Sequence, residues 1–417
     1  MKMIYGLIDM QSFYASCEVA ARPEYACWRT EEDSMSDPPL VVAGDPERRS
    51  GIVLAATPTA KAKGVANAMT LGEALGMADN LIVVKPRMEL YIETSVRIQQ
   101  VVQTMFPLYE QFSVDEAFFS FPSPSHLFPD PVEAAQELKG TIWDLFRIRC
   151  RIGLAPNKWL AKMTNKLAKK DPSGVVWWTE EDIETKLHPL SVFEMWGLKK
   201  RAQVLHDFFG ARTIGDVAQI PLYDLQHKFG VWGIVIHRWS HGEDHSLINP
   251  DSYDAPHKGI SHRTTLPRDF YKRDEVAVVI RELLDEVCRR TRVQGQKGRR
   301  VGLSLTYANL KGGFSKARTL TTMSDQSKEL YPHLMALLDR WWDKSGVRAV
   351  SVSLDQLEAS STLQLDLFED RTKLRELTRT VDEIKSRFGE TSIMRAASLK
   401  QAGQLLARSK KIGGHFR

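Results

Sequence analysis

Asp9, Asp115 and Glu116 are carboxylates set into apolar sequence, in "MIYGLIDM" and "QFSVDEAFFSF". Burying charge without a partner is expensive, so acids at such positions need a reason. In one reading Asp9 caps the following helix and the acidic pair marks a turn. In the other the three acids converge, and cations must fill the site between them. Oxygen ligands without His or Cys favour Mg²⁺. Two such ions can clamp the attacking and leaving oxygens of a phosphoryl transfer. Basic residues suited to phosphate accompany these acids, which favours the second reading.

Those basic residues are concentrated. The chain has 417 residues and a net charge of only +5. Yet residues 147–170 hold eight Lys/Arg and no acid, and residues 288–318 hold nine and no acid. A single window of this kind reads as a solvated helix face. Two suggest surfaces built for a polyanion. Hydrophobic content of 43% and charged content of 26% describe a soluble globular chain of several domains. No run of about 18 apolar residues is present, so no membrane partner is expected. The first residues lack a signal-peptide shape. Cys17, Cys27, Cys150 and Cys288 form no CxxC pair, which argues against structural zinc and fits a reducing cytoplasm.

The elements that must position the acids follow from pattern. "MIYGLIDM" is a buried strand ending at Asp9, followed by a helix to Pro23. Short strands and helices with glycine stops occupy about 25–76, an insertion after that helix. "NLIVVKP" is a further strand, and a long helix runs through "MELYIETSVRIQQVVQTMF". The acidic hairpin, a helix, the strand "CRIGLA" and the basic helix "NKWLAKMTNKLAKK" complete a β-α-β-β-α-β order, a split βαβ sheet. Residues 180–240 read as short helices. "WGLKKRAQVLHDFFGARTIGDVAQI" is similar to a helix–hairpin–helix, whose amides can hold a phosphate. A polar linker at 242–257 precedes a second α+β unit.

"IDMQSFYASCE", "SVDEAF", "GLAPNKWLAKMTNKLAKK", the hairpin near Gly197 and the basic second unit occur in this order. Together they resemble the Y-family, or translesion, DNA polymerases, most nearly the UmuC-like branch that includes UV-damage repair proteins. The resemblance spans about residues 1–358. It implies an α+β right-hand fold: a ferredoxin-like palm (1–24 and 77–165), small fingers (25–76), a helical thumb with the helix–hairpin–helix (166–241), the linker (242–257), an α+β little finger (258–358) and a tail (359–417).

By the same resemblance, Asp9, Asp115 and Glu116 are the catalytic acids and, with the Met10 carbonyl, the ligands of two Mg²⁺ ions. Tyr14 is the steric gate against a ribose 2′-OH. The backbone amides of Phe13 and Tyr14, with Lys61 and Lys169, meet the dNTP triphosphate, and Ser113 supports the acidic hairpin. Two positions depart from the common pattern. Pro58 stands where many relatives have a tyrosine, so Thr57 or Thr59 is expected to help Lys61 and Lys169 grip phosphate. Gln11 replaces a second carboxylate that is not a required ligand.

"QLDLF", Gln364, Leu365, Asp366, Leu367 and Phe368, resembles the pentapeptide with which bacterial polymerases dock on the sliding clamp; Leu and Phe in a polar tail need such a reason. The implied activity is error-prone, template-directed DNA synthesis on primer-template DNA during repair or the SOS response. No proofreading is expected, because the remaining length has no room for an exonuclease. The expected place is the cytoplasm, on the nucleoid, with an accessory subunit or a recombinase as a further candidate partner. The rival reading is a non-catalytic DNA- and clamp-binding regulatory protein on the same fold. A cyclase or other nucleotidyltransferase on a similar palm is disfavoured by the thumb motif, the basic second unit and the clamp peptide.

Overall fold

The computed structural model describes residues 2–26, 36–44, 51–253, 257–308, 312–360, 372–412 and 415–416. The chain divides into two compact units, Met1–Ala255 and Pro256–Arg417.

In the first unit, β1 (Lys2–Met10) leads into α1 (Phe13–Ala20) and a short α2 (Pro23–Ala26). Then come β2 (Leu40–Val42), β3 (Ala55–Ala56), α3 (Pro58–Ala62), α4 (Leu71–Met77) and β4 (Ile82–Val84). The long α5 (Met88–Met105), β5 (Leu108–Gln111), β6 (Glu116–Ser123), α6 (Pro131–Phe146), β7 (Cys150–Ala155), α7 (Lys158–Ala168) and β8 (Val175–Trp177) follow. Four helices close the unit: α8 (Lys200–Phe209), α9 (Ile214–Ala218), α10 (Leu222–Phe229) and α11 (Val231–Ser240).

The main sheet has the order β5-β6-β1-β7-β8. Its first four strands form the split βαβ arrangement expected from the sequence. β1 is central and buried on both faces, so it reads as a continuous apolar run. Leu7 and Phe118, opposite each other in the ladder, pack towards Trp159 and Leu160 of α7. On the other face Phe119 and Phe121 gather around Phe106. The Phe119 ring lies on the β1 backbone at Gly6, where an added Cβ would stand 2.2 Å from it. Helix α7 lies just as close to β7, because a Cβ on Gly153 would meet the Asn165 nitrogen at 2.3 Å. The Asn165 amide donates to the carbonyls of Leu7 (3.1 Å) and Arg151 (2.9 Å), pinning the helix to both strands.

Two boundaries differ from the sequence-derived ones. β4 pairs in parallel with β2 in a separate three-stranded sheet, β3-β2-β4, so the small insertion reaches Val84 rather than residue 76. β8 extends the main sheet to Trp177, inside the stretch read as thumb. Strands of three residues carry too little pattern to reveal their partners. The start of the linker is also anchored. Asn157 donates to the Gly242 carbonyl (2.7 Å), Asp244 accepts from the Trp159 amide (3.0 Å), and Glu110 accepts from the Asn249 amide (2.8 Å).

The second unit is a four-stranded antiparallel sheet with two long helices. It comprises β9 (Gly259–Phe270), α12 (Arg273–Val293), β10 (Gln296–Tyr307), β11 (Gly313–Ser324), α13 (Ser327–Trp341) and β12 (Val347–Ala359), in the order β11-β10-β12-β9. Val301, Leu303, Val350 and Val352 bury one face with Ile280, Leu283 and Val287 of α12. Register places Gly302, Ser304, Ser351 and Ser353, with Arg263 and Arg300, on the opposite face.

The tail folds back on this unit. Its helices α14 (Thr372–Phe388) and α15 (Leu405–Arg408) and the chain between them are tied down by Arg292–Asp382 (2.7 Å), Arg395–Asp285 (2.7 Å) and a Gln404 amide bond to Glu282 (2.9 Å). Gln364 to Phe368 lie outside the described residues. Among the described residues no helix is long and apolar enough to cross a membrane.

Candidate active site

Asp9, at the end of the central strand β1, stands directly opposite Glu116, the first residue of β6. Asp9 is 8% exposed. Two neighbouring carboxylates in such a place repel each other unless cations intervene. Two lysines do so here. Lys169 contacts Asp9 at 2.8 Å, and the Lys162 ammonium lies against Glu116. Burial pushes the Glu116 carboxyl up; Lys162 opposes that shift, and the nearby Asp9 adds to it. Lys162 is itself held between the rings of Phe112 and Trp196.

Asp115 is placed differently. It occupies the tight turn before β6, and its carboxylate accepts from the Ser113 hydroxyl at 2.6 Å. Its carbonyl accepts from the Met10 amide at 2.9 Å, which locks the turn to the end of β1. Met10 itself is the last residue of that strand. Thus Asp9 and Glu116 are brought together while Asp115 and Met10 sit on the adjoining turn and strand end. Among the described residues no three His, Cys, Asp or Glu side chains form a ready-made metal cluster. The donor set still fits Mg²⁺: it is all oxygen and anionic. Gln11 Oε1, of the residue after Met10, is buried without a hydrogen-bond partner and is a further, neutral oxygen acceptor.

The next residues turn sharply. Ser12 takes a left-handed conformation, φ 51°, and its side chain does not cap α1. The first-turn amides of Phe13 and Tyr14 are therefore left to other acceptors, as an anion site at a helix start requires. Lys61 reaches over to donate to the Ser12 hydroxyl at 2.8 Å. Burial and the nearby Lys169 hold its ammonium below the usual lysine range, while Asp9 pulls the other way. Two lysines are thus gathered beside one acid.

Thr57 and Thr59, expected as extra phosphate donors, are committed elsewhere. Thr57 is fully buried as the N-cap of α3, accepting from Ala60 and donating to the Pro38 carbonyl at 2.8 Å. Thr59 donates to the Asp37 carbonyl at 2.6 Å. Pro58 is the first residue of α3, where a missing N–H costs nothing. The basic helix also differs from expectation. Lys158 pairs with Glu110 (2.6 Å), Lys162 with Glu116, Lys166 with the Glu194 carbonyl (2.8 Å) and Lys169 with Asp9. Much of this first basic window serves the protein's own acids and carbonyls.

Tyr14 lies flat on Tyr91 of α5, with ring centroids 4.5 Å apart and planes 16° apart. Burial raises its phenol, and the Asp115 carboxylate raises it further. Sequence reasoning missed Tyr91 and Lys162. The four-residue spacing of Lys158, Lys162 and Lys166 was the available signal for a shared helix face.

The sequence matches the impB/mucB/samB family over residues 8–166 and that family's C-terminal domain over residues 257–367. DNA polymerase IV 2 of Halalkalibacterium halodurans is 39% identical over 420 residues, covering 100% of both chains. DNA polymerase IV 2 of Bacillus subtilis is 39% identical over 420 residues, covering 100% of this chain and 99% of its own. A solved Y-family DNA polymerase chimera has the same fold, with a TM-score of 0.68 at 22% identity, over 85% of this chain and 99% of that one. With both of its domains matched and relatives alike over the full length, this chain belongs to the impB/mucB/samB family, the Y-family translesion DNA polymerases.

Proposed function

We propose that this chain is a template-directed, error-prone DNA polymerase that joins a primer 3′-OH to the α-phosphate of a dNTP and releases pyrophosphate. One observation carries the reading: Asp9 and Glu116 face each other across the two central strands, with Lys169 on Asp9. Asp9, Glu116 and Asp115, with the Met10 carbonyl, are the residues to hold two Mg²⁺ ions. When bound, Mg²⁺ supplies positive charge and Lewis acidity at the reacting phosphate.

The remaining work falls to the chain itself and is mostly positioning. Lys61, Lys169 and the amides of Phe13 and Tyr14 hold the triphosphate. Tyr14 fills the space that a ribose 2′-OH would need. The serine-lined face of the second unit, with Arg263 and Arg300, suits a duplex backbone, because small residues let phosphates approach and the arginines meet them. The same reading keeps "QLDLF" as a docking peptide for the sliding clamp, a role in the SOS response, and an accessory subunit or recombinase as helper. Pro58 is an ordinary helix start.

The test is primer extension on an undamaged template with Mg²⁺ and dNTPs, comparing wild type with Asp115→Ala/Glu116→Ala. Extension by the wild type alone is the expected result. Equal extension by both proteins sinks the site assignment. No extension by either, with clamp and accessory proteins present, moves the reading to a DNA-binding regulator.

A further inference from the structure

Behind Tyr14 lies a charge cluster that neither phosphate nor metal chemistry uses. Glu18 is four residues after Tyr14, on the same face of α1. Its side chain is 0% exposed. Arg87 grips its carboxylate from Nε (3.1 Å) and Nη2 (2.7 Å), Arg22 meets it from the next turn, and the Tyr91 hydroxyl donates to it at 2.5 Å. Burial alone would raise the Glu18 carboxyl, but these bonds prevail and hold it below the usual carboxylate range. Arg87 and Tyr91 are also four residues apart. Two helix faces therefore meet, ring on ring and charge on charge.

Stability alone does not call for this arrangement. A buried ion pair is often no more stabilising than well-packed apolar residues of similar volume. It does fix direction. Tyr91 is 1% exposed, and its ring cannot leave its place without breaking its bond to Glu18. Tyr14 is only half-buried and has two rotatable bonds, so its own backbone does not settle where the ring lies. A gate that must reject one added oxygen has to be held to a fraction of an ångström.

We propose that Glu18 and Tyr91 are positioning residues for sugar selection: Glu18 fixes Tyr91 through its hydroxyl, and Tyr91 is the flat wall that holds the Tyr14 ring where a 2′-OH would go. This rests on the reading of Tyr14 as the sugar gate, so the test includes Tyr14 itself. The measured quantity is the ratio of kcat/KM for the correct dNTP to that for the matching rNTP, on one primer-template with the full-length protein.

Tyr14→Ala is expected to lower that ratio most. Tyr91→Leu, which removes the wall, lowers it by about threefold to tenfold. Tyr91→Phe and Glu18→Gln, which keep the wall but loosen its anchor, lower it in the same direction by less. A role in packing alone would reduce both kcat/KM values together and leave the ratio where it was. A ratio close to the wild-type value in Tyr91→Leu, Tyr91→Phe and Glu18→Gln, with Tyr14→Ala strongly changed, overturns the proposal. An unchanged ratio in Tyr14→Ala overturns the gate reading and this proposal with it. If Glu18→Gln fails to fold, Tyr91→Phe decides, since it removes one oxygen and preserves the stack.

Discussion

Lys162 lies against Glu116, so an acid of the central sheet has a built-in counter-charge on the helix that crosses it. Both side chains are largely buried, 13% and 17% exposed. Lys162→Met should strand the Glu116 charge and destabilise the protein by about 3 kcal/mol. Adding Glu116→Gln should restore most of that loss. Urea unfolding of the two single mutants and the double mutant measures the coupling, and simple additivity would contradict it.

Asp9 and Glu116 carry the proposed reaction together. Asp9→Asn and Glu116→Gln should each lower single-turnover primer extension by about 10²- to 10³-fold. Asp9→Asn faces a half-exposed lysine and should shift thermal unfolding little, whereas Glu116→Gln leaves the buried Lys162 without its partner and should lower it. A large fall in melting temperature in Asp9→Asn would assign that acid to stability instead.

Lys61 and Lys169 are neighbouring cations, Lys169 resting on Asp9 and Lys61 on the Ser12 hydroxyl. Lys61→Ala should raise KM for the dNTP by about tenfold, the loss of one charged hydrogen bond, with a smaller effect on kcat. An unchanged KM would place Lys61 on the solvated face of α3. Thr57→Val tests the same region from the other side. It should disturb folding of the small sheet rather than KM, because Thr57 caps a helix from within the core.

Acid should weaken the second unit in two stages. Burial, with Arg408 and Arg290 nearby, presses the His262 imidazole down to about 4, against the pull of Glu286. Between the ordinary histidine value and that one, the unfolded chain takes up a proton that the folded chain does not. Stability therefore falls as pH drops from about 6.5 towards 4, by no more than about 2 kcal/mol after screening by solvent. Burial would raise Glu286, but Arg289 and Arg290 hold it down at about 2. Its contribution is complete above about pH 4.5 and is lost on going lower. His262→Gln should flatten the first stage and leave the second, as read by hydrogen exchange of the β9 and β12 amides across pH 7 to 3.

Asp382→Asn should loosen the tail. It leaves Arg292, 18% exposed, without its carboxylate and costs about 2 kcal/mol of docking. Limited trypsin digestion should release residues beyond 372 faster from the mutant. Equal rates would mean that the apolar contacts of Leu405 and Ala402 hold the tail unaided.

Much of the site was legible because charge in an apolar strand is conspicuous: Asp9, Asp115 and Glu116 stand out in "MIYGLIDM" and "QFSVDEAFFSF". Lys169 and Lys61 were legible only through resemblance, since a lysine on a helix looks the same whether it meets phosphate or water. Glu18 was illegible for a physical reason. One turn into an amphipathic helix, a glutamate reads as solvated, and the Arg87 that buries it lies 69 positions away. The strands Ile82–Val84 and Val175–Trp177 were seen or missed for the same cause, because a three-residue strand has its identity conferred by a distant partner. The tail offered an amphipathic helix, but the acids of α12 that receive it could not be matched to it by pattern alone.

Lys158, Lys162 and Lys166 of α7, with Lys169 just past its end, bear on how a polyanion would be felt. A lysine already neutralised by a carboxylate sheds few counterions when a phosphate approaches, whereas an exposed strand arginine sheds nearly a full one. Lys158, Lys162 and Lys169 belong to the first kind, and Arg263 and Arg300 to the second. The ionic-strength dependence of DNA affinity would then be written mainly by the second unit. The most lysine-rich of the described helices would be nearly silent in it.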